Sequence, residues 1–295
     1  MEAIGKKTIG QRIRSRFKRT NAVRIVMFIL FGLYAASMIY ALLWAIMNSL
    51  KGPVEYMFDK NGLPSEFLFS NYIEAFELLQ ANDTNLFIML FNSVWMTLGR
   101  SLVSLACVTC AAYLFSKYKF VGRKIIYGVL IATMMLPLYG TGAAQMRLVH
   151  QMGLYDSPLY PLVISASMQG SLLLIMRSFF DGISWEYAEA AKIDGAGHYR
   201  IMFSVMFPIA IPCISSIFIL MLITGWNDYT MPLYYLPSFP TITTGLYLYE
   251  ETSKFNINYP VYFAGIIMTC IPTLLIYIFA QDKIMNSVSM GGLKE

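Results

Sequence analysis

Long uncharged runs of apolar residues dominate the pattern of hydrophobic and polar positions along the chain. A helix needs about 20 mostly apolar residues to cross a bilayer core about 30 Å thick, because each residue rises about 1.5 Å. Five runs reach this length without a charge, and a sixth contains one, Arg100. We therefore predict an all-α integral membrane protein with six transmembrane helices. The predicted spans are Ile25–Met47, Leu86–Phe115, Ile125–Met146, Ser157–Met176, Ile201–Asn227 and Val261–Ala280.

A seventh uncharged run, Tyr229–Tyr249, is not predicted to cross the membrane. It contains Pro232, Pro237 and Pro240. Each proline removes a backbone donor and clashes with the preceding helical turn, so one regular helix cannot hold all three. We interpret this run as an irregular segment outside the bilayer or at its edge.

The positions of Lys and Arg predict the orientation, because cytoplasmic loops carry the excess of basic residues. With both termini in the cytoplasm, 17 of the 22 basic residues lie inside and 4 outside, while Arg100 lies within a span. We predict a basic cytoplasmic N-terminal arm over residues 1–24, a six-helix domain over 25–281 and a cytoplasmic tail over 282–295. The first apolar run is longer than a signal-peptide core and is expected to remain as an anchor.

Composition excludes several classes of protein. The chain is 57% hydrophobic and 13% charged, against roughly a quarter charged in a soluble domain, so it lacks the polar surface of a soluble protein. Its net charge of +5 comes from the basic N-terminal arm, and no nucleic-acid partner is expected. Four Cys and two His leave little room for a metal centre. Cys107 and Cys110 have metal-like spacing but lie in an apolar helix, so we interpret them as packing residues.

A short charged segment separates the predicted fourth and fifth spans. Ser184 is a candidate N-cap, alanines favour a helix, and Gly195 and Gly197 end it, which predicts a helix of about ten residues at about 184–197. One face mixes carboxylates with small and apolar groups and suits docking into another protein. The alternative is a helix resting on lipid headgroups, which an anionic membrane surface disfavours. By helical spacing, that face holds Glu186, Glu189, Ala190 and Ile193.

The stretch EAAKIDGAGHYRIMFSVMFPIAIP, which begins at Glu189, resembles the EAA loop of bacterial ABC importer permeases. It is similar in particular to the carbohydrate-uptake, MalG-like branch. Asn92 and Ser93 in the second span, the Trp-Asn-Asp-Tyr sequence at 226–229 and the glycine-rich ending at 291–292 resemble the same branch. The similarity covers most of the chain after the first span.

This resemblance implies a MetI-like, type I ABC importer permease in the bacterial plasma membrane, surrounded by lipid. It also implies a MalF-like second permease as heterodimer partner, an extracellular solute-binding protein and a sugar substrate. The chain is not expected to be an enzyme and holds no cofactor, because two separate ATPase subunits bind ATP and Mg. Accordingly, its sequence contains no phosphate-binding loop of the Gly-x-x-x-x-Gly-Lys-Ser/Thr type. The residues implied to couple to the ATPases are Glu186, Glu189, Ala190, Ala191, Asp194 and Gly195.

A sugar pathway needs partners for hydroxyl groups and flat apolar surfaces, which amide and aromatic side chains supply. Residues 226–229 offer both, although an aromatic belt at the membrane interface or a contact with the external binding protein is an alternative. The segment 139–145 departs from the family, which usually has a second proline after Pro137 and then an apolar run. The candidate pathway residues are Asn92, Tyr139, Gln145, Trp226, Asn227, Asp228 and Tyr229.

Arg100 is a functional candidate because a charge within a span is costly. The alternative pairs it with a partner subunit or places it at the membrane edge. Pro208 and Pro212 are expected to bend the fifth span, and His198 is interpreted as an ordinary cytoplasmic residue. Three other functions stay open: an ABC permease for peptides or amino acids, a stand-alone secondary transporter, and a membrane enzyme. The last two would require paired ionisable groups within spans or a cluster of catalytic residues, and the sequence indicates neither.

Overall fold

The described residues of the computed structural model form fourteen α-helices, one π-helical turn and one isolated β-bridge between Ala81 and Thr84. Four of the six predicted apolar runs lie in continuous helical stretches, and the other two are each divided between two helices. The backbone is described for residues 9–78, 80–81, 84–136, 140–167, 170–253 and 257–292, and side-chain surroundings for the part of these ranges from 23 to 281 except 78.

The helices are given in chain order, and the π-helical turn Met202–Met206 joins α10 to α11. They are α1 (Ile9–Ser49), α2 (Pro53–Phe58), α3 (Ser70–Leu78), α4 (Leu86–Lys117), α5 (Arg123–Met135), α6 (Gly142–Gln151), α7 (Tyr160–Ser165), α8 (Gly170–Gly182), α9 (Glu186–Ile193), α10 (His198–Ile201), α11 (Phe207–Trp226), α12 (Thr230–Tyr235), α13 (Ile242–Thr252) and α14 (Tyr259–Gly292).

Four helical stretches within the described ranges are long and apolar enough to cross a bilayer. They correspond to the predicted first, second, fifth and sixth spans, and the all-helical membrane fold is confirmed. These stretches are Val23–Ser49, Leu86–Lys117, His198–Trp226 and Tyr259–Gln281.

The predicted third and fourth spans each correspond to two shorter helices. In the third, α5 ends at Met135 and α6 begins at Gly142, and Gly140 between them has a φ of +79°. In the fourth, α7 ends before Ala166, whose ψ of 48° leaves the helical region. Hydropathy counts apolar residues and cannot detect such interruptions, so the number of six spans stays a prediction.

The run Tyr229–Tyr249 is more regular than predicted, because it contains α12 and the start of α13. Pro232 lies in the first turn of α12, where a backbone N–H has no helical partner and its loss is tolerated. Pro237 and Pro240 lie between the two helices. The prolines therefore separate two helices instead of abolishing them.

The helix ends extend beyond the predicted membrane domain. Helix α1 is continuous from Ile9, and α14 continues to Gly292, so residues 24 and 281 mark no break in backbone structure. At the π-helical turn, the Phe207 amide donates to the Met202 carbonyl, five residues earlier. This turn ends two residues before Pro208, near the position where a bend is predicted.

The chain divides into two compact units, and the first comprises residues 1–72 and 258–264. Within it, the fully buried Lys51 donates from its ammonium group to the Asp59 carbonyl at 2.7 Å. The buried amide of Asn71 donates to the Lys51 carbonyl at 2.8 Å. These bonds satisfy buried polar groups and fix the loop that follows α1.

The second unit comprises residues 73–257 and 265–295. Helix α4 lies at its centre and packs against α7, α8 and α11. Its main hydrophobic cluster includes Tyr113 of α4, Phe180 of α8 and Ala188 of α9. One core therefore holds both the apolar helices and the short charged helix α9.

Candidate functional site

Helix α9 is the charged helix predicted between the fourth and fifth spans, and it has eight residues. Its N-cap position is Trp185, and the Ser184 hydroxyl accepts a hydrogen bond from the Glu186 amide at 3.2 Å. The helix ends where Gly195 adopts a φ of +80°, a left-handed conformation that favours glycine. Gly197 is extended and precedes the next helix, α10.

The face of α9 that carries the carboxylates points away from the core. Ile193 is 87% exposed, an unusual position for a large apolar side chain beside acidic groups. Within the described ranges, the carboxylates of Glu186 and Glu189 have no hydrogen-bond or ion-pair partner. This mixture of free carboxylates and apolar surface suits a protein partner with basic and apolar groups. The exposed residues are Glu186, Glu189, Ala190, Ile193, Asp194 and Gly195, whereas Ala191 is half-buried.

The opposite face of α9 is anchored to α4. Ala188 is fully buried in the main cluster. The Tyr118 ring, just after α4, makes an edge contact with Trp185 at 6.2 Å between centroids, and its hydroxyl lies 3.1 Å from Nδ1 of His198. Lys117 donates to a backbone carbonyl of the α8–α9 loop at 2.6 Å. These contacts are not predicted by the sequence. The one local signal is that Ala188 lies on the side of the predicted helix opposite the acidic face.

The predicted pathway residues near the end of α11 have different surroundings. Trp226 is buried, and its indole N–H donates to the Thr269 carbonyl at 3.0 Å. Asn227 is exposed and bonds to its own helix. The Tyr229 ring stacks on Tyr247 with 4.7 Å between centroids. Trp226 therefore links α11 to α14, while Asn227 and Tyr229 remain accessible.

The other predicted pathway residues also have partners within the chain. Asn92 is buried, donates to a backbone carbonyl of the α12–α13 loop at 3.1 Å and accepts from the Trp95 indole at 3.1 Å. Gln145 donates to the Tyr160 hydroxyl at 3.1 Å. Tyr139 lies outside the described residues. Asn92 and Gln145 therefore use their side-chain amides to hold neighbouring segments of the chain together.

Arg100 finds its partner within this chain. Its Nη1 lies 2.8 Å from Oδ2 of Asp228, and the two side chains are 22% and 23% exposed. The other carboxylate oxygen of Asp228 accepts the Met231 amide at 3.1 Å and so caps α12. The predicted spans contain no acidic partner for Arg100, because Asp228 lies just beyond the fifth span.

A hydroxyl-rich cavity of about 270 Å³ lies beside this ion pair. Ser104 is 2% exposed, and its hydroxyl has no hydrogen-bond partner among the described residues. Because Asp228 neutralises Arg100, the cavity is polar without a net charge. It can therefore hydrogen-bond to a neutral hydroxylated molecule. The polar residues that line it are Arg100, Ser101, Ser104, Ser165, Ser171 and Thr224.

Comparisons with known proteins agree with this architecture. The diacetylchitobiose uptake system permease protein NgcG of Streptomyces coelicolor is 29% identical over 88% of this chain and 85% of its own. The arabinooligosaccharides transport system permease protein AraQ of Halalkalibacterium halodurans is 27% identical over 90% and 94%. A solved structure, a bacterial ABC transporter involved in the import of the acidic polysaccharide alginate, shares the fold with a TM-score of 0.73 at 24% identity, over 94% of this chain and 99% of that chain.

The model of one protein family matches residues 104–282, which is more than half of the chain. The match includes the C-terminal part of α4, the whole of α9 and most of the final helix, α14. The chain therefore belongs to the family of binding-protein-dependent transport system inner membrane components.

Proposed function

We propose that this chain is the permease subunit of an ATP-driven importer that moves a sugar or oligosaccharide from an external solute-binding protein into the cytoplasm. The observation that carries this proposal is the exposed acidic and apolar face of α9, held to the core by Ala188 on its other side. Membership in the transport family and the names of the sugar-uptake relatives support it.

The proposed topology has six crossings with both termini in the cytoplasm of a bacterium. The pairs α5/α6 and α7/α8 supply the third and fourth crossings. Such interrupted helices are tolerated at membrane depth where protein or water covers the free backbone groups. The excess of 17 basic residues over 4 supports this orientation, in which α9 lies on the cytoplasmic side.

In the proposed mechanism, two ATPase subunits bind ATP and Mg, and the docking site for them on this chain is α9. Glu189 pairs with a basic group of an ATPase, and Gly195 allows the sharp turn after the helix. Ala188 and the contacts of Tyr118 then transmit the motion to α4. A MalF-like second permease completes the membrane pathway. The residues proposed to couple are Glu186, Glu189, Ala190, Ala191, Asp194 and Gly195.

The proposed pathway passes the hydroxyl-rich cavity beside Arg100. Hydroxyl groups of a sugar would find partners there, and an unpaired buried hydroxyl costs on the order of 1–3 kcal/mol. The neutrality of the cavity favours an uncharged sugar. The residues proposed to line or support the pathway are Asn92, Tyr139, Gln145, Trp226, Asn227, Asp228 and Tyr229.

Reconstitution of the complete importer in proteoliposomes tests this proposal. We expect Glu189→Lys to abolish the link between sugar uptake and ATP hydrolysis while the chain remains in the membrane. Glu66→Lys, at an exposed site outside the coupling helix, is the control and should transport normally. Normal uptake by Glu189→Lys, or transport by the purified chain alone, would overturn the proposal.

The runner-up function keeps the family and changes the cargo to a peptide or amino acid. A competition assay with neutral oligosaccharides, peptides and amino acids, using the cognate binding protein, distinguishes these cargoes. Inhibition of uptake by peptides alone would support the runner-up.

A further inference from the structure

A second cavity, of about 720 Å³, lies at the loop between α4 and α5 and is bordered by α8. It is called the basic pocket here because four cations line it: Lys119, Arg123, Lys124 and Arg177. None of these residues takes part in the cavity beside Arg100 or in the acidic face of α9. The proposed function therefore leaves the basic pocket without a role.

The two arginines of the basic pocket are held in place. Arg123 donates to the Tyr118 carbonyl at 3.1 Å. The Arg177 guanidinium lies over the Tyr127 ring, 3.9 Å from its centroid. Such preorganised guanidinium groups lose little freedom when they bind an anion.

The positive charge of the basic pocket is mostly uncompensated. Asp181 is the carboxylate beside it, with Oδ2 3.5 Å from Nε of Arg177. Its Oδ1 accepts a hydrogen bond from Ser116 at 2.6 Å. Nε of Arg177 is buried without a hydrogen bond among the described residues. Four cations against one shared carboxylate create a site for an anion.

Exposed apolar side chains adjoin these cations. Val121 is fully exposed, Ile125 is 73% exposed and Phe120 is 41% exposed. The pocket also lies at the end of α4, one of the helices long enough to cross a bilayer. In a bilayer crossed by α4, this end of the helix would lie near the boundary between phospholipid headgroups and acyl chains. A soluble anion would use the cations but not the apolar border.

We propose that the basic pocket binds the phosphate group of an anionic phospholipid whose acyl chains lie along the exposed side of α5. Arg123 and Arg177 donate paired hydrogen bonds to the phosphate oxygens, and Lys119 and Lys124 add attraction as point charges. Basic pockets beside membrane helices bind lipid headgroups in this way.

Native mass spectrometry of the purified full chain in detergent tests this site. The probes are phosphatidylglycerol, phosphatidylcholine with the same acyl chains, and inorganic phosphate. We expect the chain to retain phosphatidylglycerol in preference to phosphatidylcholine. The double variant Arg123→Gln/Lys124→Gln should bind phosphatidylglycerol roughly 25-fold more weakly, since each basic residue near the surface contributes about fivefold.

The matched control removes two exposed basic residues from the same end of the unit but outside the pocket, Lys192→Gln/Arg200→Gln, and should retain the lipid. Arg177→Lys keeps the charge and loses the paired donors, so it should bind phosphatidylglycerol more weakly. It provides a second test if the double variant does not fold. Equal retention of both lipids, or equal loss in the control, would overturn the proposal. Binding of inorganic phosphate as tight as that of phosphatidylglycerol would overturn the assignment to a lipid.

Discussion

The guanidinium of Arg100 lies 2.8 Å from the carboxylate of Asp228, although 128 positions separate the two residues. The pair ties the middle of α4 to the start of α12 and neutralises the polar cavity beside it. Each residue alone is a candidate for substrate contact. Together they form a structural link that also sets the charge of the cavity.

Separate and combined substitutions of this pair should show coupling. We expect Arg100→Gln and Asp228→Asn each to lower the stability of the chain by on the order of 1–3 kcal/mol, because each leaves a partly buried charge without its partner. The double variant should cost less than the sum of the two single variants. Thermal unfolding of the four proteins in detergent gives the coupling energy. Strict additivity would show that the ion pair contributes nothing.

Ser104 offers a test that separates stability from transport. Its buried hydroxyl has no partner among the described residues, so Ser104→Ala should be neutral or stabilise the chain by up to about 1 kcal/mol. Uptake of sugar should nevertheless fall, because the cavity loses a hydroxyl partner. Unfolding temperature and proteoliposome uptake are the two measurements.

The control for this experiment is Ser93→Ala. The Ser93 hydroxyl donates to the Met89 carbonyl at 2.8 Å and accepts from the Ile242 amide at 2.9 Å. Its removal should cost about 1 kcal/mol or more, since the Ile242 amide is left without its partner. A larger loss of stability in Ser104→Ala than in Ser93→Ala would contradict the geometry of the cavity.

The effect of a side chain at position 195 should depend on the backbone conformation of Gly195 and not on the space around it. Its φ is +80°, and a Cβ placed on it meets no atom within 4 Å. We expect Gly195→Val to destabilise the end of α9 by about 1–2 kcal/mol or more, because a branched side chain disfavours this conformation. Gly195→Asn should be milder, since Asn adopts it more readily. Hydrogen exchange of the α9 amides measures the difference, and equal exchange in both variants would argue against this cause.

Local rules explain which features the sequence predicts well. The end of α9 at Gly195 and its exposed acidic face depend on residues within four positions of each other. The partner of Arg100 and the core position of Ala188 depend on residues far apart in sequence, so no local pattern contains them. The division of the third predicted span depends on backbone angles such as that of Gly140, which hydropathy does not record. The three prolines of the run 229–249 predict that no single helix spans it, and Pro232 is compatible with α12 because it lies in the first turn.

Two alanines of α9, Ala188 and Ala190, differ in burial and together test the proposed role of this helix in coupling to the ATPases. Ala188 is fully buried in the main cluster, whereas Ala190 is exposed on the acidic face. Ala188→Leu should lower the stability of the chain by about 1–3 kcal/mol, because the added atoms overfill a packed core. Ala190→Leu should leave stability within about 0.5 kcal/mol of the natural chain, as is usual for a surface position.

Binding of the ATPase subunits should be weakened by Ala190→Leu, although this variant is expected to be the more stable of the two. Ala190→Leu places bulk on the proposed docking face, so it should weaken co-purification of the ATPases and reduce uptake while unfolding at the normal temperature. Co-purification from detergent and proteoliposome uptake measure these effects. Normal ATPase binding by Ala190→Leu would place the docking surface elsewhere. A normal unfolding temperature for Ala188→Leu would show that α9 is not anchored through this residue, and the route from α9 to α4 would then depend on Tyr118 and Lys117.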